Sequence, residues 1–530
     1  MVKAKRKSLG KMKTTAILAY LIVTGFLASA STWYAAADGS STNGTQTLPW
    51  GVLYSVTNSN PHLQPGDTVL FKSGTFDCLE SDALTYGYDK LLVFRKAGTA
   101  SSKITYRPET LWGFTFNGGL VLPNAASNLI IRDFKISYSG FTNRAITNYA
   151  GYALGINAFS VGSSIMHNLI ENCGHPGIGS WSGTSGKYIA GNIIRFVGFD
   201  DWDLRDGSPA GSGMYLQQSA SNPEALIKGN ISYFNYTTGM KAYGNQNING
   251  FNFTENIVAE THEGGIFYHQ DQVDSEGFQM RSNYVWNGDS GLRIGYQLGN
   301  ANPSNAVIIG NYVVDTNIAI SIVDDWKFVT LTNNIFANPY RRHIFSLGVT
   351  EDSGSNIATH TMFGNRYYAG DYTGFGTNSF QIMEAQKTLL EWKSETTEDF
   401  DAVLTVGNPG TTDVRIFNPS TDANFVHVAV FNWPTNSTTT VNLSAYFPSG
   451  AILDIYDAQD IPNAYTNAIF GGSTVTLDLT RTNRATMLGT FSSAGAWGGF
   501  DPRFRAFVVH RRYPAYSTAN SATVGRISVR

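Results

Sequence analysis

The chain has 530 residues, of which 42% are hydrophobic and 15% charged, and it is rich in Gly (54) and Tyr (27). This length allows a large core and more than one domain, and the composition favours an all-β protein of the extracellular type. The formal net charge is −3, and it becomes −9 without the six basic residues of positions 1–37, which argues against a nucleic-acid partner. The two cysteines show no metal-binding or redox spacing.

Residues 1–37 are predicted to be a targeting segment. Six basic residues precede position 14, and residues 14–31 carry no charge. Small-residue cleavage candidates follow at Ala28-Ser29-Ala30 and Ala35-Ala36-Ala37. A cleaved signal peptide is the preferred interpretation, and an uncleaved membrane anchor is the alternative. We therefore expect a secreted or cell-surface protein that contacts a membrane only through this segment, if at all.

A repeated phrase organises the middle of the chain. An Asn, usually followed by two apolar residues or a Tyr, recurs with spacings of 24, 38, 26, 27, 28, 23 and 31 residues. The repeated residues are Asn168, Asn192, Asn230, Asn256, Asn283, Asn311, Asn334 and Asn365. Between them a Gly followed by an apolar residue recurs at Gly177, Gly213, Gly239, Gly265 and Gly291. A period in the twenties is typical of a solenoid.

The solenoid is predicted to be built from strands. The segments between turns are short and rich in Ile, Val, Tyr and Phe. The frame of leucine-rich repeats is missing, so residues 38–384 are predicted to form a right-handed parallel β-helix with one coil per repeat. The Asn residues then fall at one corner of each coil, where Asn tolerates a left-handed backbone and stacked amides can hydrogen-bond. We predict a structural role for them.

The phrases at residues 63–71 (LQPGDTVLF) and 98–108 (GTASSKITYRP) strengthen this interpretation. Together with the Gly-apolar phrases they resemble secreted β-helix proteins of the polysaccharide lyase group, which includes chondroitinase B, alginate lyases and pectate lyase-like proteins. The resemblance covers roughly residues 50–370. It implies the β-helix fold and a carbohydrate ligand, whereas members of this scaffold differ in activity.

The character of the sequence changes towards the C-terminus. Residues 385–409 are predicted to be a linker that could contain one short helix. Short alternating strands with turn signals follow, and they predict a small β-sandwich over residues 410–512. The sandwich could bind sugar or cap the end of the solenoid, and capping is the preferred interpretation. Residues 513–530 are predicted to be a polar, frayed tail.

The Gly-apolar phrases define two outward columns. If the residue after each Gly points inward, the second and fourth residues after it face solvent. The first column is then Gly179, Tyr215, Lys241, Phe267 and Arg293, and the second is Trp181, Gln217, Tyr243, His269 and Gly295. Aromatic faces stack on sugar rings and cations bind uronate carboxylates. An acidic polysaccharide is therefore the predicted partner, with Trp181, Tyr215, Gln217 and Phe267 as binding residues.

The resemblance to lyases implies how this surface could act. β-Elimination needs a base for the proton next to the uronate carboxylate and positive charge to stabilise the resulting anion. In related lyases a Lys or Arg often serves as the base, which implies Lys241 here. Arg293 would neutralise the carboxylate, and His269 and Tyr243 are alternative proton donors or acceptors. Two alternatives stay open: a solvated, inactive surface, and a non-catalytic adhesin or envelope component.

Two groups of acidic residues are candidates for metal binding or hydrolysis. Asp200, Asp201, Asp203 and Asp206 lie in the insertion that stretches one repeat to 38 residues. They could bind calcium, although the full calcium-loop pattern is missing and a solvated loop is the alternative. Asp324-Asp325 could supply part of the carboxylate pair of a glycoside hydrolase. Hydrolysis ranks below elimination, because the polygalacturonase phrases are missing.

Overall fold

A computed structural model describes most of the chain. The described residues are 30–79, 90–140, 154–181, 186–198, 211–218, 224–244, 248, 250–261, 264–270, 276–286, 288, 290–295, 304–323, 326–338, 343–347, 360–370, 380–382, 385–396, 398–463, 466–481, 485, 487–488 and 503–513. The predicted calcium ligands Asp200, Asp201, Asp203 and Asp206 and the pair Asp324-Asp325 lie outside these residues.

Three long sheets form the main body in the described part of the chain. Sheet A contains, in chain order, Thr32–Ala36, Trp50–Gly51, Thr68–Phe71, Ile104–Pro108, Leu129–Arg132, Ser164–Met166, Tyr188–Ala190, Ala225–Lys228, Phe251–Thr254, Glu276–Arg281, Ser304–Ile309, Thr330–Thr332 and Thr361–Phe363. Sheet B contains Gly74–Asp77, Phe114–Asn117, Lys135–Ser137, Leu169–Cys173, Ile193–Val197, Ile231–Tyr233, Ile257–Ala259, Tyr284–Trp286, Tyr312–Val314, Ile335–Asn338, Arg366–Ala369 and Val403–Val406.

Sheet C completes the body. It contains Leu91–Val93, Gly119–Leu122, Ile156–Ala158, Ile178–Ser180, Met214–Leu216, Thr238–Gly244, Gly264–Gln270, Ser290–Ile294, Ile318–Ile322, His343–Leu347, Phe380–Ile382 and Ala385–Lys387. Each coil adds one strand to each sheet in the order A, B, C. Apart from the final antiparallel strand Ala385–Lys387, the described strands of these sheets pair in parallel. The predicted right-handed parallel β-helix is confirmed.

Stacked asparagines tie the coils together at the corner between sheets A and B. The amide of each repeat Asn donates from Nδ2 to Oδ1 of the next at 2.9–3.0 Å, from Asn168 through Asn365. Each amide also donates to a backbone carbonyl of a sheet A strand, as Asn256 does to Ile227 at 2.8 Å. Asp399 receives the last amide at 3.0 Å. The predicted structural role of these asparagines is confirmed.

The backbone reason given for these asparagines is wrong, however. The left-handed conformation belongs to the residue before each Asn, for example Gly191 (φ 66°), Gly229 (φ 60°) and Glu255 (φ 55°). The Asn itself is selected for its amide, because that group both donates and accepts between coils.

Replacing Asn256 by alanine is expected to lower the free energy of unfolding by about 3 kcal/mol, because buried partners lose their hydrogen bonds. Those partners are the Asn230 backbone N–H and side-chain amide, the Ile227 carbonyl and Asn283 Oδ1. Urea denaturation measures the change. Asn252→Ala, a half-buried position in the same coil, is the matched control and should change stability by less than about 1 kcal/mol. Equal stability of the two variants would contradict a stabilising role of the stacked asparagines.

The β-helix begins earlier than predicted. Residues Thr32–Ala36, inside the predicted targeting segment 1–37, form a sheet A strand that pairs with Thr68–Phe71. Ala35 is fully buried, and the Trp33 ring stacks on Trp50 at 4.9 Å. The first strand of the β-helix therefore lies within the predicted targeting segment 1–37, whose boundary stays a prediction. No helix in the described ranges is long and apolar enough to cross a membrane.

The predicted linker over residues 385–409 is instead the last part of the solenoid. Its predicted short helix is present as Leu389–Thr396. Trp392 of this helix is fully buried against Phe380, at 5.2 Å between ring centroids. The strand Val403–Val406 then extends sheet B. The helix covers the C-terminal end of the β-helix, while a short helix at Val52–Val56 packs on the first coil.

The C-terminal strands form two antiparallel sheets. The larger contains Thr412–Phe417, Phe425–Asn432, Phe504–Arg511, Ile452–Asp457 and Thr466–Ile469, and the smaller contains Thr438–Asn442 and Thr474–Asp478. One apolar cluster, including Val428, Leu453 and Leu477, lies between the two sheets. This agrees with the predicted sandwich.

The sandwich lies along the side of the β-helix, so the prediction that it caps the end is wrong. The outer face of its larger sheet packs on the outer face of sheet B. Tyr312 stacks on Phe431 at 4.0 Å, and Trp286 stacks on Phe504 at 5.3 Å. This second apolar interface is continuous over many coils. Sheet B is consequently covered, which leaves sheet C as a separate outer face.

Polar contacts also fix the sandwich. Arg195 donates to Glu171 from Nε at 2.8 Å and to the Tyr233 hydroxyl at 2.8 Å, and it also reaches the Ile461 carbonyl. Tyr513, the first residue of the predicted frayed tail, donates to Asp133 at 3.1 Å and lies under the Arg107 guanidinium. Tyr513 therefore belongs to the packed interface, and residues 514–530 lie outside the described residues.

Candidate functional site

The predicted register of the outward columns on sheet C is confirmed. Tyr215 pairs with Lys241, Lys241 with Phe267, and Phe267 with Arg293, while Tyr243 pairs with His269. The alternate positions point into the solenoid: Met214, Met240, Ile266 and Leu292 are all fully buried. Alternation along a strand therefore turns Lys241 and Arg293 outward.

Aromatic rings form a connected surface around the first of these positions. The Trp181 ring lies 5.4 Å from Tyr215, and the Tyr215 ring meets Tyr243 edge-on at 6.0 Å. All three side chains are half-buried. The indole Nε1 of Trp181 donates to the Asn157 side chain. A side chain at Gly179 would press on this pair, because a Cβ there would lie 2.9 Å from Asn157 Oδ1.

Two cations lie on the same surface. Lys241 Nζ is 4.4 Å from the centre of the Tyr243 ring. The Arg293 guanidinium is 5.7 Å from the Phe267 ring, and its Nε donates to the Gly295 carbonyl at 3.3 Å. Lys241 and Arg293 are two strands apart, so their backbones are separated by about 10 Å along the stack. Both side chains are long enough to converge on one sugar unit.

Phe267 differs from the prediction. It lies on the outward column, but only 5% of its surface is exposed. The Arg293 guanidinium and the close backbone at Gly264 lie against it. Its role in substrate binding stays a prediction, and in this structure its ring supports the Arg293 guanidinium.

The structure gives less detail for the other predicted site residues. Gln217 is half-buried, and its side-chain amide lies against Gly244. His269 is on the strand opposite Tyr243, and the position of its side chain lies outside the described atoms. Among the residues that the structure describes, no three His, Cys, Asp or Glu side chains are grouped to hold a metal. Calcium binding by Asp200, Asp201, Asp203 and Asp206 stays a prediction.

Sequence reasoning missed His175. Its Nδ1 accepts a hydrogen bond from the Ser212 backbone N–H at 3.2 Å, and its ring meets Tyr215 edge-on at 5.5 Å. Burial, reinforced by the nearby Lys241 charge, lowers the pKa of His175 to about 4. The ring is therefore neutral at pH 7, and since Nδ1 is an acceptor, Nε2 carries the proton. The sequence feature that could have identified His175 is the His-Pro pair directly before Gly177.

A second lysine near this face, Lys187, has a structural position. Only 3% of it is exposed, and its ammonium donates to Ser180 Oγ at 2.6 Å and to the Ala158 carbonyl. Burial lowers the pKa of Lys187 to about 7. Its hydrogen bonds join the ends of two sheet C strands next to Trp181. The ammonium group therefore stabilises this corner of the coil and does not face solvent.

Comparison with known proteins found solved structures that are similar to this chain. A mannuronic acid specific polysaccharide family 6 lyase from human gut microbiota is 12% identical, with 72% of this chain and 87% of that chain covered and a TM-score of 0.37. The alginate lyase from Paenibacillus sp. str. FPU-7 is 13% identical, with 60% and 97% covered and a TM-score of 0.38. The pectate lyase Pel9A is 12% identical, with 63% and 79% covered and a TM-score of 0.34.

No family model and no curated protein matches the chain. At these identities and TM-scores the solved structures carry no argument about this chain. The β-helix itself rests on the three parallel sheets described above.

Proposed function

We propose that the protein is an exported, carbohydrate-active β-helix protein that binds an acidic polysaccharide along sheet C and cleaves it by β-elimination. The observation that carries this proposal is the shared outward column of Lys241 and Arg293 beside the Trp181, Tyr215 and Tyr243 rings. Aromatic faces would stack on sugar rings while the two cations meet carboxylates. Sheet B cannot serve in this way, because the sandwich covers it.

The proposed reaction divides the work between these side chains. After giving up its own proton to solvent, Lys241 would accept the proton from the carbon next to the uronate carboxylate, and Arg293 would stabilise the negative charge that moves onto that carboxylate. The electron pair then forms a carbon–carbon double bond as the bond to the glycosidic oxygen breaks. Tyr243, whose ring lies beside Lys241, would supply the proton that the leaving oxygen needs. His269 is the alternative donor.

A second candidate function is non-catalytic glycan binding at the cell surface. It is favoured by the cation–ring contacts themselves, since Lys241 over Tyr243 and Arg293 over Phe267 would serve a binding face equally well. In that case the same column would hold a polymer without turnover.

One screen separates the two functions. The mature protein is incubated with alginate, pectate, chondroitin and ulvan, each with and without calcium, and the ultraviolet absorbance of the unsaturated product is followed. The proposal expects an absorbance rise with at least one acidic polymer. Binding without any rise would support the second function, and neither binding nor turnover would contradict both. The calcium arms also test whether calcium, the possible ligand of Asp200, Asp201, Asp203 and Asp206, affects turnover.

Replacing Tyr215 or Trp181 by alanine is expected to weaken glycan binding by about tenfold, because stacking surface is lost. Isothermal titration calorimetry with the polymer found in the screen measures the change. Phe328→Ala is the control, since that ring is 57% exposed near a sheet A strand. If Phe328→Ala weakened binding as much as Tyr215→Ala, the aromatic surface on sheet C would lose its assigned role.

A further inference from the structure

Asp67 is a buried carboxylate in the first coil. It accepts hydrogen bonds from residues near the start of the described chain. It is 3% exposed. Its Oδ1 accepts the Ser31 backbone N–H at 2.7 Å, while Oδ2 accepts Trp33 Nε1 at 2.8 Å and the Gln64 N–H at 2.9 Å. These three donors are neutral N–H groups, whereas a carboxylate is stabilised most by a cationic donor.

The backbone becomes fixed at Ser31. The Ser31 carbonyl accepts the Thr68 N–H at 2.9 Å, and the first strand begins at Thr32. Ala30, one residue earlier, is exposed. The Ala30–Ser31 peptide bond therefore joins exposed Ala30 to Ser31, whose backbone N–H and carbonyl both hydrogen-bond to the first coil.

The sequence around this bond fits a processing site. Ala28-Ser29-Ala30 places small residues one and three positions before the bond, after an uncharged stretch and a basic start. The competing site after Ala37 would remove the strand Thr32–Ala36, whose Ala35 is fully buried and pairs with Trp50 and Phe71.

We propose that the chain is cleaved between Ala30 and Ser31 and that the new α-ammonium group of Ser31 binds Asp67. Hydrolysis breaks the Ala30 C–N bond; water supplies the oxygen of the Ala30 carboxylate, and the Ser31 nitrogen gains a hydrogen and is protonated. The existing 2.7 Å contact thereby becomes a charge-assisted bond, which is about twice as strong as a neutral one. Removal of the leader and fixation of the first coil are thus coupled.

The first arm of the test identifies the processed end. The full chain is expressed in an exporting bacterial host, and the intact mass of the exported protein is measured. The expected mass is that of residues 31–530 or of a species shortened only at its C-terminus, and N-terminal sequencing should begin Ser-Thr-Trp. A protein that begins at Asp38, or one that keeps residues 1–30, would overturn the proposal.

The second arm tests the charge itself. A chain that begins at Ser31 is compared with one that begins at Ala30, which keeps the Ser31 N–H but moves the charge away. The Ser31 chain is expected to melt about 2 °C higher. The difference should vanish in Asp67→Asn, and if that variant does not fold, the comparison of the two termini with Asp67 intact still decides. Equal melting temperatures of those two chains would overturn the ion pair.

Discussion

Replacing Lys241 by alanine is expected to reduce turnover of the cleaved polymer by about 10²–10⁴-fold, the usual contribution of a positioned general base. Binding should fall far less, because the base acts on a proton that moves only in the transition state. The fold should survive, since Lys241 is half-buried on the outer face of sheet C. Initial rates and binding constants of the same preparation measure the two effects.

Lys228→Ala is the matched control for this substitution. Lys228 is a partly exposed lysine on sheet A, paired with Glu255 at 3.3 Å, and it is far from the outward columns in the coil. It should leave turnover unchanged. Full activity in Lys241→Ala would remove Lys241 as the base while leaving the binding face in place.

Replacing Arg195 by methionine is expected to destabilise the protein by about 3–5 kcal/mol, the usual effect of removing one partner from a buried ion pair. Glu171 would then lose the two Arg195 contacts at 2.8 and 2.5 Å and keep only Lys135, at 2.8 Å. The Arg195 side chain is 1% exposed and that of Glu171 7% exposed. Chemical denaturation measures the loss. Lys387→Met, which breaks the surface pair with Glu395, is the control and should cost at most about 1 kcal/mol.

The pH dependence of stability shows whether Arg195→Met destabilises the protein by leaving the Glu171 carboxylate unpaired or by removing packing contacts. Burial opposes ionisation of Glu171, but the charges of Arg195 and Lys135 and their hydrogen bonds lower its pKa overall. The stability that this pair contributes is present above the unfolded pKa and is lost as pH falls through the lowered pKa. Without Arg195, burial should raise the Glu171 pKa, so the variant regains stability as this carboxyl is protonated.

The stability difference between the native protein and Arg195→Met should therefore narrow from pH 7 towards pH 5. The double variant Glu171→Met/Arg195→Met should recover part of the loss, because it leaves no buried carboxylate. A difference that stays constant with pH, with no recovery in the double variant, would contradict the ion-pair explanation and indicate a packing effect.

The repeat fold was predictable because its constraints are local. One inward position per strand must be apolar, so the Gly-apolar phrases determine the register of sheet C. A slip by one residue would bury Lys241 and expose Met240, which is costly. The stacked Asn amides repeat for the same reason: each coil presents the same corner to the next.

The apolar doublets of the sheet B strands indicate where the sandwich packs. In the apolar doublet Leu169-Ile170, Ile170 faces the solenoid core and Leu169 faces the sandwich. The doublet Ile193-Ile194 divides in the same way. Two adjacent apolar residues on a strand require both faces of the sheet to be covered, so sheet B needed a partner along its side.

Other features depend on contacts between distant residues. His175 is fixed by the Ser212 N–H in the next coil, across an insertion whose length differs from the other repeats. The two cleavage candidates could not be separated from small residues alone, because Ala35 and Ala36 suit both a cleavage motif and a buried strand. Their pairing with Trp50 and Gly51 supports the cleavage proposed after Ala30.

The most direct test of the central claim is a crystal structure of the Lys241→Ala protein with an acidic oligosaccharide from the polymer that the screen identifies. The proposal predicts sugar rings on the outer face of sheet C, stacked on Trp181 and Tyr215, with a carboxylate at Arg293. An oligosaccharide bound to sheet A or to the sandwich, with the sheet C face empty, would contradict it.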